Sequence, residues 1–110
     1  VVAVDVDAEN LKRIEGIGFL ASGEQLPFMD SSFDVVFCLD TVHLLSDVEE
    51  LDRVMRRNGR AVVTRYCSEY NKGERMAELK NLVTDWELLD EFFVGTRGKE
   101  LDAVVVCRAL

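Results

Sequence analysis

Phe33-Asp34-Val35-Val36-Phe37-Cys38-Leu39 is apolar at every position but one, and its reading decides the fold class. A short apolar run of this length, without polar alternation, is the pattern of a strand in a parallel sheet. Downstream, Ser46 and Glu49 stand in capping-box spacing and predict a helix reaching about Arg56. Its inward face would be Val48, Leu51, Val54 and Met55, at helical intervals. Asn58-Gly59 then turns the chain into a strand over Ala61 to Thr64. Upstream, Val1-Val2-Ala3-Val4-Asp5 reads as another strand buried on both faces. Asp7 can cap a helix from Ala8 to Glu15, with Leu11 and Ile14 inward and Gly16 ending it. Phe19 to Ala21 predicts a second strand, followed by a polar loop to Pro27.

The remainder completes the alternation. Gly73 to Val83 predicts a helix with Met76, Leu79, Leu82 and Val83 on one face. Trp86 to Val94 and Ala103 to Arg108, with a turn around Thr96–Lys99, read as an antiparallel hairpin. Strands alternating with helices imply an α/β fold: a mostly parallel sheet with helices on its faces, closed by that hairpin. Six strands and three helices fit one domain over 1–110, as does the length of 110 residues.

Composition narrows the function classes. With 48% hydrophobic residues and one proline, the chain can bury a core and has no low-complexity linker. No apolar run reaches the roughly 20 residues of a membrane span, and no signal peptide is apparent, so a soluble protein with no membrane partner is expected. The net charge of −8 is uneven: residues 1–55 hold twelve acids and three bases, residues 56–110 nine acids and ten bases. An acidic first half repels nucleic acid, which is bound by neutralising its phosphates. Arg53, Arg56, Arg57 and Arg60 cluster, but cations at the end of a helix also complement its dipole. Cys38, Cys67 and Cys107 are odd in number and widely spaced, against both a disulfide framework and a zinc site. A reducing, cytoplasmic setting follows, and a single histidine, His43, excludes a multi-histidine metal site.

Two segments are familiar in combination. Gly23-Glu24-Gln25-Leu26-Pro27-Phe28-Met29-Asp30-Ser31-Ser32-Phe33-Asp34-Val35-Val36 resembles the central signature of class I S-adenosylmethionine-dependent methyltransferases, in the branch related to the ubiquinone and menaquinone enzymes. Leu51-Asp52-Arg53-Val54-Met55-Arg56-Arg57-Asn58-Gly59-Arg60-Ala61-Val62-Val63 is similar to that family's Arg-Val-Leu-Lys-Pro-Gly-Gly-Arg segment, with Arg57 in place of proline and Asn58 in place of the first glycine. Val4-Asp5-Val6-Asp7 resembles its second strand and terminal acid, and the closing hairpin its last strands.

The resemblance implies a Rossmann-like sheet and S-adenosylmethionine as cofactor. It makes Asp5 the ribose ligand, consistent with ligands binding beyond the carboxyl ends of parallel strands; capping the next helix is the plainer role for that acid. Val6 would pack on the adenine face. Ser22 and Gly23 occupy the loop that contacts the adenine edge, where relatives often carry aspartate. Glu24 is either a ligand or a solvated acid. Cys38 and Asp40 end the strand beside the methionine part of the cofactor, and Asp40 contacts that part, contacts the substrate, or caps the turn that follows. His43 could serve as a general base near the methyl acceptor or be structural.

The resemblance starts at the family's second strand, so the first strand, the glycine-rich turn and the first helix have no counterpart in the sequence. A truncated domain is expected, with a gap in the sheet or direct pairing of the strands that flank it. Two classes follow: a methyltransferase, or piece of one, acting on a small-molecule or protein acceptor; or a non-catalytic methyltransferase-like partner or self-associating module, with a homodimer through exposed edges. A nicotinamide-dependent dehydrogenase using Asp5 on ribose is weaker, because the phosphate-binding fingerprint is absent.

Overall fold

The computed structural model describes residues 2–5, 7–13, 16–95 and 100–110. Six strands form in chain order: β1 (Val2–Asp5), β2 (Ile17–Leu20), β3 (Phe33–Leu39), β4 (Met55–Cys67), β5 (Glu87–Gly95) and β6 (Leu101–Arg108). Between them lie α1 (Ala8–Leu11), α2 (Glu49–Val54), α3 (Lys72–Leu82) and a 3-10 turn at Val42–Leu44. The expected α/β class and the closing hairpin are present, and the strands pair both ways, two ladders parallel and two antiparallel among the described residues.

The strands divide into two sheets. β1 and β2 pair in parallel, while β3, β4, β6 and β5 form a second sheet in that order. β3 and β4 are parallel; β6 is antiparallel to both β4 and β5. Direct pairing of β1 with β3 is not observed among the described residues. Phe28 ties the pieces together: its ring meets Phe19 of β2 and Phe33 of β3 edge-on, each at 5.0 Å between centroids.

The core lies on one face of the four-stranded sheet. Ala61 and Val63 of β4 and Ala103, Val105 and Cys107 of β6 meet Leu51 of α2, Leu79 of α3 and Val42 of the 3-10 turn. Val48, Leu51, Val54 and Met55, the predicted inward face, are all buried. The opposite face is a correction to the reading of unbroken apolar runs as strands covered on both sides. Val35, Phe37 and Leu39 of β3 are 47%, 64% and 57% exposed, and Val2 of β1 is exposed too. Among the described residues the helices pack on one side of this sheet, and an apolar pattern does not report how many sides are covered.

Several boundaries differ from expectation. α1 stops at Leu11, with Asp7 capping it as predicted through a 2.9 Å bond from the Glu9 amide. The inward Ile14 and the turn around 96–99 lie outside the described residues. α2 begins at Glu49, and Ser46 does not cap it; Asp47 Oδ1 accepts the Glu49 amide instead, at 2.9 Å. The helix ends at Val54, so Arg56, Arg57 and Arg60 belong to β4 and do not complement a helix dipole. β4 starts earlier than expected because residues 56–59 bulge between the Phe33–Met55 and Val35–Arg60 pairs. Asn58 takes a left-handed φ of 64° there. A Cβ on Gly59 would stand 2.7 Å from the Arg56 carbonyl and 2.9 Å from that of Asp34, so the bulge requires glycine.

Candidate active site

Parallel strands deliver their carboxyl ends to one side, where loops can gather polar groups around a ligand. Asp5 closes β1. Its Oδ1 accepts the Asp7 amide at 2.9 Å and its Oδ2 the Asn10 side-chain amide at 3.1 Å. The acid is thus held by the segment it precedes, but Asp7 caps α1, so the capping duty that competed with ribose binding falls to Asp7. These bonds orient the Asp5 carboxylate at the end of β1. The Ala21 amide also bonds the Asp5 carbonyl, at 3.0 Å, which draws the exit of β2 against the end of β1.

The loop leaving β2 is a tight turn. Ser22 and Gln25 form an isolated bridge, and Ser22 Oγ accepts the Glu24 amide at 3.1 Å. A Cβ on Gly23 would meet Leu45 Cδ2 at 3.2 Å, so glycine lets the turn pack against the segment after the 3-10 turn. Glu24 reinforces that contact. Its carboxylate accepts the Ser46 amide, and this bond holds it below the usual carboxylate range. The exits of β2 and β3 therefore meet, which brings Ser22 and Gly23 into the same region as the residues after Leu39. Val6 lies outside the described residues.

At the end of β3 the predicted residues separate. Cys38 points into the core, 7% exposed, with its Sγ 3.4 Å from Thr41 Oγ1, and burial raises its thiol pKa. Only its backbone is positioned to reach a ligand. Asp40 is exposed and adopts a left-handed φ of 57°, unusual for a residue with a Cβ. Thr64 of β4 holds it there: the Asp40 amide donates to Thr64 O at 3.1 Å and to Oγ1 at 3.0 Å. Thr64 Oγ1 in turn donates to Asp40 Oδ1 at 3.2 Å. His43 is exposed in the 3-10 turn and lines an open groove with Arg65, Glu78, Asn81 and Leu82.

Three contributors were not anticipated. Thr64 is the predicted end of a strand, and Asp102 lies just before the predicted strand Ala103 to Arg108, which in the structure starts at Leu101. The neighbouring Asp40 carboxyl and then burial push the Asp102 carboxyl up to about 6, and its Oδ1 is buried without a hydrogen-bond partner. Arg53 was read as part of a basic cluster. It spans the Leu26–Asp30 loop, donating to Leu26 O at 3.0 Å, Phe28 O at 2.7 Å and Asp30 Oδ1 at 2.9 Å, while Glu50 holds its Nε. Arg56 pairs with Asp34 and Arg57 with Asp52, so three of the four clustered arginines face acids of this chain.

No helix among the described residues is long and apolar enough to cross a membrane. No group of acids, cysteines and histidine among them could hold a metal ion.

The donor and acceptor set at the strand ends fits a nucleoside-bearing ligand: a fixed carboxylate, a small polar turn and a second acid. The sequence pattern described as "Methyltransferase domain" matches residues 1–63. No curated protein matches the chain. Among solved structures, a SAM-dependent methyltransferase from Methanosarcina mazei superposes with a TM-score of 0.75 at 16% identity, covering 99% of this chain and 81% of that one. A SAM-dependent methyltransferase from Aquifex aeolicus gives 0.72 at 22% identity, covering 99% and 68%. A structure of the Haloferax volcanii Trm112 methyltransferase activator in complex with a methyltransferase gives 0.76 at 14% identity, covering 98% and 71%. With the pattern matched over more than half its length, the chain belongs to the methyltransferase-domain family, whose cofactor is S-adenosylmethionine.

Proposed function

We propose that this chain transfers a methyl group from S-adenosylmethionine to a small-molecule or protein acceptor, with Asp5 holding the ribose hydroxyls. The observation that carries the reading is the convergence of strand exits: Asp5 beside Ala21, Ser22 and Gly23 packed toward Leu45, and Asp40 closing β3. Ser22 offers a hydroxyl, and the Gly23 backbone an amide and a carbonyl, to the adenine edge. Val6 would follow Asp5 on the adenine face. The backbone at Cys38 and the Asp40 carboxylate would lie beside the amino-acid end of the cofactor. When bound, the cofactor supplies an already activated methyl group, so the protein's task is alignment more than proton transfer. His43, three residues past Asp40, is the candidate base for an acceptor that must lose a proton.

A protein or small molecule suits this surface better than nucleic acid. The candidate site is drawn from residues 1–55, which hold twelve acids and three bases, and Arg53, Arg56 and Arg57 are paired internally. Isothermal titration of S-adenosylhomocysteine into the chain, with Asp5→Ala as control, tests the reading. Saturable binding lost in the variant is expected; a folded wild-type chain that does not bind would refute it.

Self-association is the second reading, favoured by one observation. β1 and β3 each present a ladder edge with no partner among the described residues. Light scattering across a concentration series should show a dimer, and a monomer throughout would remove this reading.

A further inference from the structure

α2 spans six residues, so its last carbonyl groups need partners from outside the helix. The segment between β2 and β3 supplies them: the Ser31 amide donates to the Arg53 carbonyl and the Ser32 amide to that of Val54, each at 2.8 Å. Side chains of α2 grip the start of the same segment. Glu50 Oε1 accepts the Leu26 amide at 2.9 Å, and Arg53 Nη2 donates to the Leu26 carbonyl at 3.0 Å. Arg53 Nη1 donates to Phe28 O and Asp30 Oδ1, and its Nε and Nη2 donate to the two carboxylate oxygens of Glu50. A guanidinium has five N–H donors, and here all five are engaged.

The loop so held adjoins both pieces of the molecule. Leu26 directly follows the Ser22–Gln25 turn, whose Glu24 is tied to the Ser46 amide. Phe28, whose carbonyl Arg53 binds, lays its ring against Phe19 of β2 and Phe33 of β3. Among the described residues the buried core begins at Cys38 and includes none from β1 or β2. Asp5 ends β1 and Asp40 follows β3, so core packing does not set where one stands relative to the other. We propose that Arg53 is a positioning residue for the candidate cofactor site. Its saturated guanidinium fixes the Leu26–Asp30 loop, and the loop holds the Ser22–Gln25 turn and the Asp5-bearing β1–β2 pair against the end of β3. Arg53 bonds none of Asp5, Ser22, Gly23 and Asp40; it acts through the loop it clasps.

Backbone-amide NMR on the full chain tests the clasp without a ligand. Arg53→Lys keeps the charge but carries its donors on a single nitrogen, which cannot span the loop carbonyls and both carboxylates. The amides of residues 22–26 should shift, and the Phe19–Phe28 ring contact should be lost. The amides of Ala103 and Val105 in β6 should stay as in wild type. Glu50→Gln keeps an oxygen for the Leu26 amide but removes the charge that orients the guanidinium, so it should move the same turn amides; it also serves if Arg53→Lys does not fold. Turn amides unmoved in either folded variant would overturn the proposal.

The effect on ligand rests on the cofactor reading above. S-adenosylhomocysteine should bind Arg53→Lys about ten-fold or more weakly than wild type, the worth of a lost charge-assisted bond. Glu50→Gln should weaken binding too, and the double variant no further than Arg53→Lys alone, because the two side chains act as one clasp. Leu79→Ala, with a cavity in the core, should lose stability in urea yet keep wild-type affinity while folded. An Arg53 that served stability alone would lower affinity only in step with unfolding, as Leu79→Ala would then do as well. That pattern, or wild-type affinity in folded Arg53→Lys, would overturn the positioning role. No binding by wild type would instead refute the cofactor reading, and the amides of residues 22–26 would still decide the clasp.

Discussion

The two sheets of this molecule are held together by different forces. The buried cluster begins at Cys38 and draws on β3, β4, β6, α2, α3 and the 3-10 turn. β1 and α1 contribute no fully buried side chain, and their order comes from a parallel ladder, the Asp7 cap and the bonds that Asp5 accepts. Stability is thus concentrated in one piece, while the candidate site needs the strand ends of both. Sites that bind ligands are often drawn from the less stable parts of a fold, where opening is local.

The largest expected effect marks that contrast. Leu79 of α3 is fully buried, so Leu79→Ala should cost about 2–5 kcal/mol of global stability, as a cavity in a packed core does. Val4→Ala in half-buried β1 should cost about 1 kcal/mol or less, since less apolar area leaves water there. Urea unfolding of both variants checks this. Equal losses would mean that the β1–β2 piece unfolds together with the rest. Gly59→Ala follows: the two carbonyls at 2.7 and 2.9 Å must be pushed back, for about 1–3 kcal/mol, the usual range for overpacking. A neutral result there would show that the bulge can shift.

Much of this contrast was readable from the residues, and the rest was not for identifiable reasons. Phe33 to Leu39 is a strand with the predicted bounds, and the inward faces of α2 and α3 were visible in their spacing. Helical and strand periods are local, so one sequence shows them. Which faces are covered is not local: the bare side of Phe37 and the break between β1 and β3 depend on what else packs there. At the candidate site, Asp5, Ser22, Gly23 and Asp40 can be named because the methyltransferase resemblance assigns roles to those positions, each at or near a strand exit. Thr64 and Asp102 could not, because they reach Asp40 only through the β3–β4 and β4–β6 registers. Arg53 was visible, but its partners in the Leu26–Asp30 loop lie 23 to 27 residues away.

Titration sharpens the comparison, because two acids of the larger piece respond with opposite sign. Glu50 is held near a pKa of about 2 by its bonds to the Arg53 side chain and the Leu26 amide. Its contribution is present above the unfolded carboxylate range and is lost as pH falls toward 2. Asp102 is raised to about 6, so its contribution is complete below the unfolded range and is lost as pH rises through 6. Unfolding midpoints of Glu50→Gln and Asp102→Asn against wild type should therefore diverge in opposite pH directions. Parallel profiles would mean that at least one of these acids is not held as described.

The smallest effect concerns the start of α2, where a sequence pattern and the fold disagree. A capping box would make Ser46 the helix cap, and removing such a cap costs about 0.5–2 kcal/mol. Here Ser46 bonds Glu24 of the turn after β2, and Asp47 accepts the Glu49 amide. Asp47→Ala should then carry the capping cost, about 1 kcal/mol. Ser46→Ala keeps the backbone amide that Glu24 binds and should fall within about 0.5 kcal/mol of wild type, as for an exposed substitution. The reverse order in urea unfolding would restore the capping box. It would also remove Glu24 from the tie between the exits of β2 and β3, the contact that brings the two sheets together at the candidate site.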